Sequence, residues 1–372
     1  MTGRAISVRH YGPGGLEHGG GIGRFIGYVV PAAAGGPTVH VVTDTRGPRL
    51  SPVLSPLRFA AAMAAMGLDR ALAPGRIHHI HVAGRGSTIR KLILAAEARW
   101  LGCRHVLHLH DYDYAADLDQ RGAWLRAAVG RMFRGADAVV VLGQQDRRLV
   151  TGVLGADPDG VFALANCVPD PGPRIPARSG APLILFLGQL GPRKGVPELL
   201  DALATPQMRA LGWHAVLAGN GPVEDYRLRV RALGLDGRVE LPGWLGAADT
   251  ADLCRRAAIL VLPSHAEGMA MAVLEGLAHG LAVVTTRVGA HDEVITDGVT
   301  GVFVPVDDAA ALAGALAALV SDPVRRADLS RRGRELFLSR FSMAAYVPRL
   351  DAVYARALAR RADTVVTGEQ GT

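Results

Sequence analysis

The sequence predicts an α/β protein made of two doubly wound domains, each built on a parallel sheet with helices on both faces. Three observations support this prediction. The chain has 372 residues, which is more than one core usually holds, so two domains are expected. Short runs rich in Val, Ile and Leu alternate with helix-like segments, as they do in βαβ units. A proline-rich segment near the middle interrupts this alternation.

Eleven segments are predicted to be strands, six in the first half and five in the second. The first six are residues 5–12, 38–44, 77–84, 105–111, 138–143 and 161–168. The other five are residues 183–190, 214–220, 238–244, 258–264 and 281–289. Segments between them, such as 87–102 and 195–203, have helical character. Ligands bind beyond the carboxyl ends of the strands in such sheets, so we expect the site in the loops that leave them.

The domain boundaries follow from the proline-rich segment. Five prolines lie between residues 169 and 182, which predicts a linker at 171–182 between a first domain at 1–170 and a second at 183–338. The two domains are expected to face each other across a cleft. A helix at 340–360 is expected to pack back on the first domain, and the tail 362–372 to be disordered.

The cysteines and the lengths of the apolar runs indicate the cellular compartment of the protein. The three cysteines, Cys103, Cys167 and Cys254, have no CxxC spacing, which favours a reducing compartment. No signal-peptide pattern precedes the first strand, and no apolar run approaches the roughly 18 residues that a membrane span needs. We therefore expect a cytoplasmic protein.

The charge is unevenly distributed. The net charge is +7, and the whole excess lies before the linker ends, where 20 Lys and Arg accompany 13 Asp and Glu through Arg174. Nine of the 13 histidines lie in the same half. This half is expected to meet an acidic partner, either phosphate groups or an anionic membrane. No nucleic-acid motif or basic aromatic platform is present, so nucleic acid is not expected.

Glycine-rich segments follow several predicted strands. Residues 12–25, GPGGLEHGGGIGRF, could bring backbone N–H groups to a phosphate, but they match neither the dinucleotide fingerprint nor the P-loop. Residues 188–195, GQLGPRKG, place Arg193 and Lys194 at a strand exit before a helix, which suits a diphosphate. Residues 218–222, AGNGP, would line the same space. A solvated loop, a basic turn and an empty tight turn are the respective alternatives.

Two glutamates, Glu267 and Glu275, lie eight positions apart around an apolar run. On one helix they would be ~12 Å apart along the axis and could hardly share a small group. If Glu267 lies in the loop and the helix starts near Met269 or Ala270, its carboxylate and the free N–H groups of 269–271 face the same space. Glu275 could then reach the hydroxyls of a polyol along the helix. The spacing alone also fits an ordinary helix with two solvent-exposed charges.

Taken in order, these motifs resemble retaining, nucleotide-sugar-dependent glycosyltransferases of family 4, which have the GT-B fold of two Rossmann-like domains. The matching segments are VLPSHAEGMAMAVLE, GLAHGLAVVTT, VGAHDEVITDGVTGVFVP, FLGQLGPRKGVPELLDA, AGNGP, LPGWL, NCVP, the glycine loop and HLHDYD. The resemblance implies transfer of a hexose from a UDP- or GDP-sugar to a saccharide or lipid-linked saccharide. Bacterial polysaccharide assembly, such as that of exopolysaccharide, is the implied context.

The resemblance also implies roles for individual residues. Glu275 would hold the ribose hydroxyls, Glu267 would face the donor sugar, and His110 would contact that sugar near C6. The catalytic set would be His110, Lys194 and Glu267. The donor-binding set would be Gly21, Gly23, Arg193, Lys194, Gly221, Gly268, Met269, Ala270 and Glu275. No cofactor or metal is required in the mechanism that the family implies, in which the leaving phosphate takes the acceptor proton.

One position departs from the family pattern. Many relatives have arginine where this chain has Gln189. The cation that completes the diphosphate site is therefore open, and Arg193 could substitute for the missing one.

Rival functions stay open at this point. Two H-x-H pairs, His79/His81 and His108/His110, could form the metal site of a hydrolase, because residues i and i+2 share a strand face. The sequence DYD at 111–113 is also similar to the metal-binding D-x-D of the GT-A fold. Histidines packed against helices or in solvent are the alternative. A non-catalytic sugar-nucleotide-binding module, or another GT-B enzyme such as an epimerase or phosphorylase, is the remaining possibility.

The basic first domain is expected to bind the acceptor and to reach an anionic membrane surface. Two amphipathic segments, 86–104 and 121–135, supply the cations and the apolar side chains for such a contact. The cations are Arg90, Lys91, Arg121, Arg126, Arg131 and Arg134, with Trp124 or Phe133 entering the lipid. Ordinary helices with solvated arginines are the alternative. The protein would then be cytoplasmic and peripheral on the inner face of the cell membrane.

Overall fold

The computed structural model describes residues 5–15, 20–47, 54–111, 113–173 and 180–368. The chain divides into two compact units. Unit 1 comprises Met1–Cys167 and Met343–Thr372, and unit 2 is Val168–Ser342. Part of the predicted linker, residues 174–179, lies outside the described residues.

Unit 1 is built on a six-stranded sheet in which all neighbouring strands are parallel, in the order β2-β1-β3-β4-β5-β6. Its strands are β1 Ile6–Gly12, β2 Thr38–Asp44, β3 Ile77–Val82, β4 Arg104–Leu109, β5 Ala138–Val141 and β6 Val161–Ala163. Its helices before the linker are α1 Gly20–Ala32, α2 Leu54–Leu72, α3 Gly86–Trp100, α4 Tyr114–Asp119, α5 Ala123–Arg134 and α6 Gln144–Arg148. All six strands predicted for the first half are present.

The two faces of this sheet are covered by different helices. On one face, α2, α3 and α5 bury residues such as Met66, Leu94 and Phe133. On the other, α1 packs beside the C-terminal helix α15, Met343–Gly368, and together they bury Phe25 and Tyr354. The C-terminal segment therefore belongs to unit 1.

The C-terminal helix is longer than the sequence suggested. Disorder was predicted from residue 362, but α15 continues to Gly368. Residues 361–367 contain neither glycine nor proline, so nothing in them breaks the helix before Gly368. The last four residues, 369–372, lie outside the described residues.

Unit 2 has a second parallel six-stranded sheet, in the order β12-β11-β10-β7-β8-β9. Its strands are β7 Leu183–Leu187, β8 His214–Ala218, β9 Val239–Gly243, β10 Ile259–Leu262, β11 Ala282–Thr286 and β12 Val302–Val304. Its helices are α7 Val196–Ala204, α8 Pro206–Arg209, α9 Val223–Ala232, α10 Ala247–Arg256, α11 Met271–Ala278, α12 His291–Val294, α13 Ala309–Ser321 and α14 Pro323–Arg340. Strand β12 was not predicted; like β6, it has only three residues.

The strand order of unit 2 indicates where a ligand should bind. From β7 the chain moves outward to β8 and β9, whereas β10 pairs on the other side of β7 and leads to β11 and β12. The loops that leave β7 and β10 therefore start at neighbouring strand ends, where the strand order reverses direction. Doubly wound sheets bind their ligands at this kind of switch point.

The helices also bear on membrane insertion. Among the described residues, no helix is both long enough and apolar enough to cross a membrane.

Candidate functional site

The loops that leave β7 and β10 bring three of the predicted site residues together. Lys194 Nζ donates a hydrogen bond to Glu267 Oε1, and Ser264 Oγ donates to the same oxygen at 2.9 Å. Arg193 Nη1 lies 3.5 Å from that oxygen. The Lys194 and Glu267 side chains are only 14% and 9% exposed. Charges withdrawn from water to this extent need partners, so each holds the other in place.

Backbone contacts lock these two loops together. His265 N donates to the carbonyl oxygen of Arg193 at 2.8 Å, and Arg193 Nη1 donates to the carbonyl oxygen of Ala266 at 2.8 Å. Gly195 has a φ of +68°, and a Cβ there would collide with the carbonyl oxygen of Pro263. Only glycine meets both conditions without strain. The position of Lys194 is therefore set by the loop that carries Glu267.

The loop that leaves β8 packs against the same region. Leu190 N donates to the carbonyl oxygen of Asn220 at 2.7 Å. Gly221 has a φ of +132°, and a Cβ there would collide with the carbonyl oxygen of Leu190. The predicted donor-binding residue Gly221 thus has a packing role in this loop, and its contact with a donor stays a prediction.

The apolar run between the two glutamates begins as loop and ends as helix. Helix α11 begins at Met271, one or two residues later than predicted, because Ala270 still has extended backbone with ψ of 118°. No side chain forms a capping hydrogen bond at the N-terminus of α11. Glu275 lies one turn into the helix and is half-buried. Gly268, Met269 and Ala270 form the approach to that helix N-terminus.

The loop that leaves β11 supports this approach from behind. Ala290 N donates to the carbonyl oxygen of Gly268 at 2.8 Å. Gly289 has a φ of +58°, and a Cβ there would collide with the carbonyl oxygens of Glu267 and Gly268. Glycine at this position therefore lets the two loops touch.

Two residues of this region were missed by the sequence analysis. Ser264 fixes the Glu267 carboxylate, and His291 is fully buried beside it. Burial lowers the pKa of His291, and the charges of Glu267 and Lys194 act on it in opposite directions. His291 Nε2 is buried without a hydrogen-bond partner. Both residues lie inside segments that carried the resemblance, but their spacing suggested no role.

His110 lies in unit 1, directly after β4. Its Nε2 is 2.9 Å from Nδ1 of His81, so one ring nitrogen is taken by a protein partner. Phe25 packs edge-on against the ring, with the two centroids 5.4 Å apart. Burial lowers the pKa of His110 to about 3, so the ring is neutral at neutral pH. Its predicted contact with a donor sugar stays a prediction.

The histidine pairs proposed as metal ligands do lie on one face of the sheet, with nitrogens near enough to share an ion. However, they bind one another: His79 Nε2 lies 3.2 Å from His108 Nδ1, and His79 Nδ1 lies 2.7 Å from the Tyr354 hydroxyl. Asp111 accepts a hydrogen bond from Gly84 N and thereby fixes the loop after β3. Of the DYD segment, Tyr112 lies outside the described residues. This arrangement gives the hydrolase interpretation no support.

The glycine loop differs from its predicted form. Helix α1 begins at Gly20, so Gly21 and Gly23 lie in its first turn and not in a loop. The helix forms despite its glycines because Phe25, Ile26 and Val29 are buried on one side of it. Residues 16–19 lie outside the described residues. Contact of Gly21 and Gly23 with a diphosphate stays a prediction.

Two residues of the predicted membrane surface are in fact buried. Lys91 is fully buried, and Phe133 is 1% exposed in the core. Lys91 was assigned to the surface that meets lipid, and Phe133 was one of two apolar side chains expected to enter it, but both are buried in unit 1. Arg121 is 11% exposed and pairs with Asp117 at 2.7 Å, so it is not available to lipid. Arg126, Arg131 and Arg134 are exposed as predicted, and Arg90 is half-buried.

Comparison with known proteins identifies both units. Residues 9–167 match the family described as "Glycosyl transferase 4-like domain". Residues 181–322 match the family described as "Glycosyl transferases group 1". The first match covers most of unit 1, and the second covers most of unit 2.

Individual relatives agree with these matches. The lipopolysaccharide core biosynthesis glycosyltransferase LpsE of Rhizobium meliloti is 31% identical over 173 residues, 46% of this chain and 49% of LpsE. A D-inositol 3-phosphate glycosyltransferase of Acidothermus cellulolyticus is 31% identical over 254 residues, 61% of this chain and 54% of the relative. The chain spans about half the length of the curated relatives that it matches.

A solved structure shows the fold. HepE of Anabaena, in complex with UDP, is similar over 94% of this chain and 99% of HepE, with a TM-score of 0.74 and 16% identity. The predicted fold class is confirmed. The chain therefore has the GT-B fold, and its two units belong to two families of glycosyltransferase domains, the 4-like family in unit 1 and group 1 in unit 2.

Proposed function

We propose that this chain is a retaining glycosyltransferase that moves a hexose from a nucleotide-diphosphate sugar to a saccharide or lipid-linked saccharide during polysaccharide assembly at the cytoplasmic face of the membrane. The observation that carries this proposal is the pairing of Lys194 with Glu267 at the switch point of unit 2. The loop that leaves β7 provides two cations, and the loop that leaves β10 leads to the uncapped N-terminus of α11. Both features suit a diphosphate.

The chemistry required matches what these residues offer. The bond between the sugar and the diphosphate breaks, and the acceptor oxygen bonds to the sugar on the same face. The acceptor proton passes to the leaving phosphate oxygen. Negative charge grows on the diphosphate as the bond breaks, so Lys194, Arg193 and the N-terminus of α11 stabilise the transition state more than the ground state.

The Lys194–Glu267 pair gives the site an exchangeable cation. The diphosphate competes with Glu267 for the ammonium group of Lys194. Glu267 then turns its carboxylate to the donor sugar, while Ser264 keeps its hydrogen bond at 2.9 Å. Glu275, one turn into α11, holds the ribose hydroxyls. No metal is needed in this scheme, because protein cations and backbone N–H groups offset the charge.

The relatives suggest the first donors to try. LpsE is named for lipopolysaccharide core biosynthesis, and HepE has been solved with UDP and with UDP-glucose. Uridine sugars are therefore the starting probes, with guanosine sugars beside them.

A donor panel tests the proposal. Thermal unfolding is measured with UDP, GDP and their hexose derivatives, since a bound donor raises the midpoint, and turnover is followed with excess chelator present. We expect one sugar nucleotide to stabilise the chain, with turnover intact in chelator. Lys194→Ala should lower kcat/KM by roughly 100-fold, the scale of one lost transition-state donor. Arg255→Ala, which removes an exposed cation, should leave it unchanged.

The outcomes separate the alternatives. Stabilisation without transfer or hydrolysis would identify a binding module. Loss of turnover in chelator would refute metal independence, and proton NMR of the product reports whether the anomeric configuration is retained. No stabilisation by any sugar nucleotide would refute the proposal.

The acceptor side is proposed to meet an anionic membrane. Helices α2, α3 and α5 lie side by side on one face of the unit 1 sheet. Their outer sides expose apolar side chains, with Trp100 at 85% and Trp124 at 77%. The exposed cations on these helices are Arg58, Arg70, Arg99, Arg126, Arg131 and Arg134. Their two acids are Asp69, which is buried, and Glu97, whose pKa is raised by burial.

Such a surface suits anionic lipid, because arginines attract the headgroups while tryptophans enter the interface. Sedimentation with vesicles of anionic and neutral phospholipid measures the contact. We expect binding to anionic vesicles at low salt, and a loss of about tenfold in affinity for Trp100→Ala with Trp124→Ala, the size of two modest interfacial contacts. The control is Trp244→Ala, which removes a tryptophan of unit 2 that is 74% exposed. Absence of binding by the unaltered chain would refute the membrane proposal.

A further inference from the structure

Four histidines of unit 1 form a continuous hydrogen-bonded row across the sheet, which we call the histidine chain. It runs from β2 through β1 and β3 to the end of β4, and its members are His40, His10, His81 and His110. His40 Nδ1 lies 2.8 Å from His10 Nε2, His10 Nδ1 lies 3.0 Å from His81 Nε2, and His81 Nδ1 lies 2.9 Å from His110 Nε2. Each link therefore joins an Nδ1 to an Nε2.

The chain is shielded from water along its length. His10 and His81 are fully buried, and His40 and His110 are half-buried at its ends. Phe25 packs edge-on against His81 and His110. Burial lowers the pKa of all four rings, in His10 to about 3. Every ring is thus a neutral imidazole with one N–H and one lone pair.

Neutral rings in such a row cannot choose their tautomers independently. Each link needs one N–H, and each ring supplies only one. With three links and four rings, the row has two fully bonded arrangements: all rings carry the proton on Nδ1, or all carry it on Nε2. A mixed arrangement leaves two lone pairs or two N–H groups facing each other, which costs a buried hydrogen bond.

The far end of the chain distinguishes the two arrangements. His40 Nε2 is buried without a hydrogen-bond partner. In the Nε2–H arrangement this atom would be a buried donor without an acceptor, which is rarer and costlier in proteins than a lone pair without a donor. In the Nδ1–H arrangement it is only a lone pair. At the other end, His110 then presents an N–H on Nδ1, which no residue of the described chain accepts.

A shared metal ion fits these rings less well. A metal-bound imidazole uses one nitrogen for the ion, but His10 and His81 each bond histidines through both nitrogens. Along the row, the planes of adjacent rings are inclined to each other by 28°, 20° and 32°.

We propose that the histidine chain holds His110 in its Nδ1–H tautomer, so that His110 offers its ligand a hydrogen-bond donor and not a base. His10 and His40 are then positioning residues, since they act on the ligand only through His81 and His110. The identity of that ligand as the donor sugar rests on the proposed function. The N–H group at His110 Nδ1 could donate a hydrogen bond to a hydroxyl oxygen or to the ring oxygen of a sugar.

The tautomers are measured directly in the full-length chain. Histidine labelled with ¹⁵N gives long-range proton–nitrogen correlations that separate a protonated nitrogen from a bare one. We expect His110, His81 and His10 all to be Nδ1–H at neutral pH. His10→Asn places an amide where His10 Nδ1 faces His81 Nε2, and an amide can either donate or accept a hydrogen bond. The Nε2–H arrangement then strands no buried donor, so His110 should gain a population of that form.

Matched variants keep this test interpretable. His78→Asn makes the same change in β3, but on the opposite face of the sheet, where His78 pairs with the Tyr11 hydroxyl at 3.0 Å; it should leave His110 unchanged. If His10→Asn does not fold, His40→Asn offers an amide to His10 Nε2 at the half-buried end of the row and should shift His110 in the same direction. With a turnover assay, His10→Asn should lower kcat/KM by up to about tenfold, the size of one hydrogen bond.

Each remaining outcome is decisive. An Nε2–H form of His110 in the unaltered chain, or a His110 signal unaffected by both His10→Asn and His40→Asn, overturns the proposal. So does a stoichiometric metal that chelator removes together with a change in the ring signals. If the proposed function is wrong, no sugar nucleotide will be turned over, but the nitrogen signals will still report the tautomers. The two failures are therefore distinguishable.

Discussion

The chain has only two lysines, and both follow an arginine near the start of a helix. Arg90–Lys91 lies in α3 of unit 1, and Arg193–Lys194 lies just before α7 of unit 2. Lys91 is fully buried, and its Nζ donates to the carbonyl oxygen of Tyr11 at 3.3 Å and to Thr45 Oγ1 at 3.0 Å. Lys194 instead pairs with a carboxylate, that of Glu267.

Their partners distinguish the two lysines, of which Lys91 lies in the core of unit 1 and Lys194 in the candidate site of unit 2. Lys91 meets only uncharged oxygens, and burial lowers its pKa to about 7. Lys194 lies at a strand exit and pairs with an acid, Glu267. Lys91 is thus buried without a charged hydrogen-bond partner, whereas Lys194 is buried beside one.

The largest expected effect is a loss of stability in acid, and it should be greater in unit 1 than in unit 2. Burial lowers the pKa values of the four rings of the histidine chain and of His79 and His108. Below about pH 6.5 the unfolded chain binds protons that the folded chain does not, so the free energy of unfolding falls as pH falls. Each ring contributes up to about 1.4 kcal/mol per pH unit. Urea unfolding at pH 7, 6 and 5 should show a loss of several kcal/mol.

Pulsed hydrogen exchange assigns that loss to a unit. Protection should disappear first in residues 5–167. Replacing His10 and His79 with Phe should make the pH dependence shallower. Equal loss of protection in unit 2 would mean that the buried histidines of unit 1 do not cause the loss of stability in acid.

Removing one partner of the unit 2 ion pair should have the next largest effect. Glu267→Ala leaves Lys194, only 14% exposed, without its counter-charge, and we expect a loss of roughly 3 kcal/mol in the free energy of unfolding. Replacing both residues with Ala should recover part of this loss, because no charge is then stranded. Urea unfolding of the single and double variants measures both values.

An exposed pair provides the control. Asp252→Ala breaks the contact with Arg255, where both side chains are more than half exposed, and should cost less than about 1 kcal/mol. A similar cost for Glu267→Ala would mean that its pairing with Lys194 does not stabilise the site.

The smallest effect is expected at Lys91. Its pKa is about 7 when folded and near 10.4 when unfolded, so between these values the unfolded chain binds one more proton. The free energy of unfolding should therefore rise with pH by about 1.4 kcal/mol per unit in this range. Lys91→Met should lack this rise, whereas Arg90→Met should keep it. Urea unfolding at pH 7 and 8.5 measures the slopes, and identical slopes for Lys91→Met and the unaltered chain would refute the burial argument.

The fold was largely accessible to pattern analysis because strands of a parallel sheet are short, apolar and regularly spaced. All eleven predicted strands are present, and β12 is the one strand of the described residues that was not predicted. The start of α11 was misplaced by one or two residues, because Met269 and Ala270 are as apolar as the helix that follows. Local composition gave no sign of where the backbone turns helical.

The candidate site was only partly accessible. Glu267, Lys194 and Arg193 were identified, and the structure brings them together. Ser264 and His291 were missed, because their contacts with Glu267 and Thr285 depend on how each loop folds and not on a recognisable spacing. Lys91 and Phe133 were placed on the wrong side of their helices, because a short amphipathic pattern does not show which face meets the sheet. The roles of the predicted residues toward a donor stay predictions.

By itself, the sequence determined the periodic strands, the glycines at the strand exits and the order of motifs, and these were enough for the fold and the family. Only the tertiary structure decided which charged groups are buried and what they bind. Nine histidines in one half suggested a basic surface, but most of those described are buried and neutral. Periodicity is a local property of the chain, whereas protonation depends on the partners and the solvent that folding brings to each group.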